Sequence, residues 1–291
     1  MKALSYYLTY LVIRLIAALP FSVLYFVSNG MARLLILSGY RREVVGMNLR
    51  NSFPEKSAAE IQALSREYYR YLCDLILETL KTMTMSEAEY RKRVTLKNPE
   101  VFSTLAAEGK SIILMLGHFG NWEWFGPCVT LNTNFQLVVI YRPLSHPYFE
   151  KMTSAWRTRF GTEITPAQQT VRTLIANKGR LTATAFIADQ AAPTNAYWTT
   201  FLHQETSVFT GAEKMAAKFK YPVVYLHATR PKRGYYTITP EVLFADPSKA
   251  VENEISERFT RRLEADIREN PVIWLWSHKR WKNKRPTLPR E

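Results

Sequence analysis

The sequence predicts an α/β fold: one domain with a mixed, largely parallel sheet flanked by helices, preceded by an N-terminal apolar helix that anchors it to a membrane. Three observations predict it. From residue 99 onward, short apolar runs alternate with helical stretches, the signature of strands joined by helices. The run SIILML (111–116) has no polar alternation, as expected of a strand buried on both faces. The most apolar window of the chain lies at its start, at residues 3–27. The chain has 291 residues and 47% hydrophobic residues, enough for one large core. No repeat, low-complexity tract or linker splits it.

The elements follow in order. The window ALSYYLTYLVIRLIAALPFSVLYFV is long enough to cross a bilayer, although Arg14 and Pro20 interrupt it. It is expected as a tilted span or a helix lying in one leaflet, and it places residues 1–40 as an anchor before a body of 41–291. A signal peptide is disfavoured, because no small-x-small cleavage site is evident and apolar sequence continues to Leu37. Arg33, Arg41 and Arg42 follow and keep the body cytoplasmic by the positive-inside rule. Ser57 and Glu60 form a capping box. Ile61, Leu64, Tyr68, Tyr71 and Leu75 then recur at helical spacing, which predicts a helix to about Met83. Strands are predicted at 111–116, 135–141, 181–188, 222–230 and 235–240. Helices are predicted from about Asn121, over 146–160, near 168–178, near 211–219 and over 253–269.

Charge restricts the partner. Lys and Arg number 39 against 25 Asp and Glu, a formal surplus of +14. Such a surplus suits an anionic partner: a membrane, an acidic protein, an acidic substrate or nucleic acid. Cys73 and Cys128 exclude a disulfide scaffold and sit at no zinc-ligand spacing from histidine, so no zinc site is expected from them; no other metal and no cofactor are expected. The basic tail 279–290 contains Trp281. With Trp274 and Trp276 it suits a membrane interface, and no helix-turn-helix, zinc-finger or RNP-like motif supports nucleic acid.

The candidate site is Gly117-His118-Phe119-Gly120-Asn121-Trp122-Glu123, directly after a buried strand, where open α/β sheets place their ligands. His118 is a candidate general base. Gly117 and Gly120 permit a tight turn. Asn121 is a candidate N-cap, and the helix behind it offers free N–H groups to developing negative charge. Five residues of helix sweep about 500°, so His118 and Glu123 meet only if His118 lies ahead of the helix. Arg142 and Asp189 each end a predicted strand at the same edge. Arg142 is a candidate partner for a phosphate or other anion. Asp189 is either a substrate contact or the rival of Glu123 for orienting His118.

The 117–123 segment resembles the His-x4-Asp/Glu motif of glycerolipid and lipid A acyltransferases. Further segments are similar, in order, to the late lipid A acyltransferases, a group that includes lauroyl and myristoyl transferases and the phosphatidylinositol mannoside acyltransferases. These are Asn48-Leu49, Phe53-Pro54-Glu55, Tyr141-Arg142-Pro143, Arg157 with Gly161, Ala188-Asp189-Gln190, Phe209 with Gly211, Met215-Ala216, Pro222-Val223-Val224 with Arg230, and Trp276-x-His278-x-Arg280-Trp281-Lys282. The resemblance implies transfer of an acyl chain from a carrier-protein or coenzyme A thioester to a glycolipid hydroxyl, at the cytoplasmic face of the bacterial inner membrane. The thioester is a co-substrate, not a cofactor. His118 and Glu123 are then the expected catalytic residues, and Asn121, Arg142, Asp189 and Gln190 the expected substrate contacts. The chain departs from the group's Phe-Phe-Gly-like run, reading Phe201-Leu202-His203. His203 reads as a loop histidine and His278 as structural, while His146 and His227 have no evident partner. Transfer to another lipid, such as a phosphatidylinositol mannoside, an aminolipid or a pigment, is the alternative within enzymes. A thioester hydrolase and a non-catalytic binding protein are the other classes.

Overall fold

Pro20 decides the shape of the N-terminus. It has no N–H to continue a helix, and the apolar window divides there into α1 (Lys2–Ala18) and α2 (Phe21–Leu37), bent by 119°. The orphan carbonyls at the end of α1 are taken up from outside: Lys81 Nζ donates to Leu19 O at 2.8 Å, and Thr84 Oγ1 to Ala17 O at 2.5 Å. No single helix among the described residues is long and apolar enough to cross a membrane; the bent pair qualifies by length and composition only. The expected single anchoring helix is therefore corrected to two helices. The computed structural model describes residues 2–286, with side chains from residue 6; positions 287–290 of the basic tail lie outside the described residues.

Next come α3 (Arg42–Ser52) and α4 (Ala58–Lys81). The capping box of α4 is complete: Ser57 accepts from the Glu60 N–H, and Glu60 accepts from the Ser57 N–H. One stripe of α4 carries Tyr71, Asp74 and Glu78 and continues to its C-cap, Thr82, all buried. Their spacing of three, four and four keeps them on one face.

Among the described residues nine strands follow, interleaved with helices: β1 (Val94–Leu96), β2 (Ile112–Leu116), β3 (Gln136–Tyr141), β4 (Glu163–Pro166), β5 (Thr182–Ile187), β6 (Tyr197–Phe201), β7 (Gln204–Val208), β8 (Val223–Lys232) and β9 (Tyr235–Phe244). Seven form one sheet in the order β1-β9-β8-β2-β5-β3-β4, parallel except for the β8–β9 hairpin. All five residues of β2 are buried. Successive side chains point to opposite faces, so the sheet is covered on both sides at β2.

β6 and β7 form a separate antiparallel hairpin. It falls in a stretch expected only as a loop. Leu202 and His203 make its turn, both at positive φ (48° and 64°). That geometry favours Asn-Gly, and its absence explains why no hairpin is evident in the sequence. The helices that frame the site are α7 (Trp122–Asn132), α8 (Pro147–Arg157) and α11 (Glu254–Glu269).

Candidate active site

Strand register alone gathers three of the predicted residues. β2 and β5 run parallel with Leu116 opposite Ile187. His118 and Asp189 each lie two residues further on, so they face each other across the strand ends. β3 flanks β5 on its other side, with Val139 opposite Ala185, so Arg142 leaves the sheet at the same edge.

The contact that results is short. His118 Nδ1 lies 2.6 Å from Asp189 Oδ1, and the His118 backbone N–H donates to Asp189 Oδ2 at 2.8 Å. The indole N–H of Trp274 donates to the same Oδ2 at 2.8 Å. The Asp189 side chain is 3% exposed and that of His118 15%. Burial alone would push the Asp189 carboxyl up. The imidazole, the Trp274 indole and the His118 amide outweigh it and hold the group below the usual carboxylate range. An ionised Asp189 accepts, so Nδ1 carries a proton, and in the neutral imidazole the lone pair is then on Nε2. Gln190 Nε2 lies 3.2 Å from that lone pair and donates to it. The arrangement fixes the inner nitrogen of the imidazole against Asp189 and leaves the outer one facing the Gln190 amide.

The chain around the pair admits little variation. A Cβ at Gly117 would lie 2.7 Å from Leu263 on α11 and 3.3 Å from Asp189 Oδ2, so a side chain there would displace both. Gly120 has φ +63°, and its N–H donates to Ile273 O at 2.9 Å. Phe119 and Trp274 form a β-bridge. Trp122 meets the His118 ring edge-on at 4.8 Å. The carboxyl-terminal segment 273–283 thereby closes one wall, and it also holds the Asp189 loop. His278 Nε2 accepts the Ala191 N–H at 3.2 Å, and Asn283 donates to Ala192 O at 2.7 Å. Asn48 ties the segment down by donating to the carbonyls of Trp276 and His278.

The model of the family described as bacterial lipid A biosynthesis acyltransferase matches residues 1–283. The chain belongs to that family. No curated protein matches it. Acyl transfer is the activity this family implies, with an acyl donor and a lipid A-type acceptor.

In this lipid A acyltransferase family member, the other predicted residues fall as follows. Glu123 lies in the first turn of α7 but does not reach His118. Its carboxylate is gripped by Arg157 of α8, at 2.6 Å to Nη2 and 3.1 Å to Nε. Asp189, the rival candidate, makes the contact to Nδ1 instead. Asn121 stands at the N-cap position, yet its side chain caps nothing. It is fully buried and donates to Glu78 Oε2 at 3.0 Å. Arg142 is exposed and has no ion pair or hydrogen bond among the described residues. Trp274 and Trp276 are buried and packed edge to face at 4.7 Å, with Trp281 beside Trp274. They belong to the core rather than to a membrane interface, which corrects that reading. Arg41 is also committed internally, donating to Ser277 O at 2.6 Å. His227 Nδ1 lies 2.9 Å from Asp266, a partner not evident in the sequence. His203 approaches Arg268, and His146 makes ring contacts with Tyr148 and Phe149.

Sequence reasoning gave no role to Trp274 as an Asp189 donor or to Glu78. Trp274 lies two residues ahead of the carboxyl-terminal run that carries the resemblance and by sequence reads only as an interfacial tryptophan; Glu78 offers no signal beyond sitting on the apolar side of a helix. Two surface depressions, of about 640 and 310 Å³, lie elsewhere, between β9 and α11 and beside residues 99–106. Among the described residues, no group of three or more His, Cys, Asp or Glu is placed to hold a metal ion.

His278 gives a testable pH signature. Burial lowers its imidazole to about 4, below the ordinary value of 6.5. Between these values the unfolded chain binds the proton and the folded chain does not, so stability falls as the pH drops from 6.5 toward 4. His278→Gln removes this contribution. Its melting temperature is expected to vary less across that window than that of the wild type, measured by intrinsic fluorescence in detergent. An unchanged slope would place His278 outside the linkage.

Proposed function

We propose that the protein is a membrane-associated O-acyltransferase. It moves a fatty acyl chain from an acyl thioester, on acyl carrier protein or coenzyme A, to a hydroxyl of a lipid A-type glycolipid, with His118 as general base. The observation that carries this reading is the 2.6 Å contact between His118 Nδ1 and Asp189 at the mouth of the parallel sheet, in a chain whose family transfers acyl groups. The acceptor hydroxyl takes the place of the Gln190 amide on Nε2. As its oxygen attacks the thioester carbonyl carbon, its proton passes to Nε2. Asp189 stabilises the imidazolium. Collapse of the tetrahedral intermediate breaks the carbon–sulfur bond, and Nε2 returns the proton to the departing thiolate. The first amides of α7 are candidates to stabilise the oxyanion. A thioester is already activated, so no covalent acyl-enzyme is needed.

A bilayer-facing surface supports the membrane half of the reading. Tyr7, Leu8, Leu11, Val12 and Leu15 are exposed along one face of α1, and Phe26 and Leu37 of α2 are 79% and 82% exposed. Residues this apolar are costly in water and favoured at the headgroup boundary. Tyr6, on the opposite side of α1 from this face, stacks on Tyr148 of α8 at 4.6 Å, so α1 packs beside the helix that follows the Arg142 loop. The surplus of cations suits a bacterial inner membrane seen from its cytoplasmic side, and an acidic carrier.

The test is to supply labelled acyl donor on each carrier, with lipid A precursors and other lipid acceptors, and to identify products by mass spectrometry. Acyl transfer to a lipid A precursor is expected. Release of free fatty acid without an acceptor would establish a hydrolase instead. A free guanidinium at the strand ends fits an acceptor phosphate. Arg142→Ala is expected to raise the acceptor KM about tenfold, the loss of one charge-assisted hydrogen bond, with kcat little changed. A dephosphorylated acceptor is expected to be insensitive to the substitution.

A further inference from the structure

The buried carboxylate of Glu78 touches neither substrate nor base, yet it sits between two parts of the molecule that the reaction needs together. Its side chain is wholly buried on α4. Oε1 accepts from the Tyr25 hydroxyl of α2 at 3.0 Å. Oε2 accepts from Asn121 Nδ2 at 3.0 Å and from the Tyr236 hydroxyl at 2.7 Å. The Arg230 guanidinium is 3.9 Å away. The same stripe of α4 holds the turn bearing His118 at two neighbouring points: Tyr71 donates to Gly120 O at 2.6 Å, and the Trp124 indole donates to Thr82 Oγ1 at 3.0 Å. One turn earlier, Asp74 accepts from Ser28 of α2 at 2.6 Å. It also binds Arg230 and Arg233, and it makes no contact with the His118 turn.

We infer that Glu78 is a positioning residue that couples the seating of the apolar helix α2 to the placement of the His118 turn, through the Tyr25 hydroxyl on one oxygen and the Asn121 amide on the other. A carboxylate buried this deeply is stable only while its donors converge on it. Loss of the Tyr25 donor leaves Oε1 with no hydrogen bond, facing only the Arg230 guanidinium at 3.9 Å. The carboxylate then re-aims, and Asn121, whose Oδ1 has no hydrogen-bond partner, moves with it. Asn121 is three residues from His118, so the displacement reaches the base. The Ser28–Asp74 bond joins the same two helices but has no hydrogen bond to Glu78 or to the turn, meeting Glu78 only through the Arg230 guanidinium at 3.9 Å, which makes Ser28 the comparison for the direct Tyr25 link.

The kinetic half of this inference rests on the acyl-transfer reading; the structural half does not. The full chain is placed in vesicles of phosphatidylethanolamine and phosphatidylglycerol, and hydrogen exchange is followed in the peptide containing residues 117–124. The His118 and Gly120 amides are both hydrogen-bonded, to Asp189 and to Ile273 O, so they start protected. In Tyr25→Phe, which keeps the ring, they are expected to exchange about tenfold faster. The kcat is expected to fall about tenfold, with the donor KM unchanged. In Ser28→Ala both stay within about twofold of wild type at a similar loss of melting temperature. Equal exchange in Tyr25→Phe and wild type, or equal acceleration in both variants, would overturn the coupling. Absence of transfer by the wild type would defeat the acyl-transfer reading alone, and the exchange data would still decide this one.

Discussion

His118→Ala is expected to lower acyl transfer by about 10³ to 10⁴-fold, with the donor KM nearly unchanged. A positioned base contributes about 10² to 10⁴ on its own, and the high end is expected where a buried carboxylate fixes it. That range equals about 4 to 5.5 kcal/mol of transition-state stabilisation. The cost in stability is smaller. Asp189 loses the imidazole but keeps the Trp274 indole and the backbone amide at position 118. One lost hydrogen bond to a buried charge costs about 1–3 kcal/mol. Activity and folding therefore separate: the variant is expected to melt cooperatively, a few degrees lower, while turnover nearly vanishes. His118→Gln gives a second readout. It restores side-chain volume without a base and is expected to be as inactive as alanine. A loss of less than fivefold in both variants would remove His118 from the chemistry.

How much of this was readable before the fold is clearest residue by residue. β2 was legible because five consecutive apolar residues before a glycine turn have few other solutions. Once β2, β3 and β5 were known to be strands, the edge carrying His118, Arg142 and Asp189 followed from their parallel direction. The hairpin β6–β7 was hidden, because Tyr-Trp-Thr-Thr-Phe mixes polar and aromatic residues and its turn uses Leu202-His203 in place of glycine. The bend at Pro20 was signalled, but the donors that hold it, Lys81 at the end of α4 and Thr84 in the turn beyond, lie more than 60 residues later. The same kind of distance defeated local logic at the site. Asn121 is the right residue type for a cap, and a buried carboxylate 43 residues away claims it first. Glu123 suits the first turn of a helix, and its carboxylate is paired with Arg157 from α8 instead of reaching His118. Trp274 and Trp276 carry no periodic signal, so composition could not distinguish a core tryptophan from an interfacial one.

The choice between the two carboxylates gives the second large prediction. Three donors converge on the two oxygens of Asp189: the His118 amide, Nδ1–H and the Trp274 indole. Asparagine keeps the shape but has one acceptor oxygen, and its NH₂ would face one of these donors. The imidazole can relieve that conflict by moving its proton to Nε2, which removes the lone pair that must accept the substrate proton. Asp189→Asn is therefore expected to lower kcat by about 10³ to 10⁴-fold. Glu123→Gln changes a different pair. Its amide oxygen still accepts from Arg157, and neither atom touches His118. The expected cost is about 1–3 kcal/mol of stability from a weakened, half-buried ion pair, with kcat within about tenfold of wild type at temperatures where the variant is folded. Melting curves and initial rates on the two variants, compared at equal folded fraction, make the decision. A larger loss of kcat in Glu123→Gln than in Asp189→Asn would mean that Glu123 leaves Arg157 and orients His118 when substrate binds.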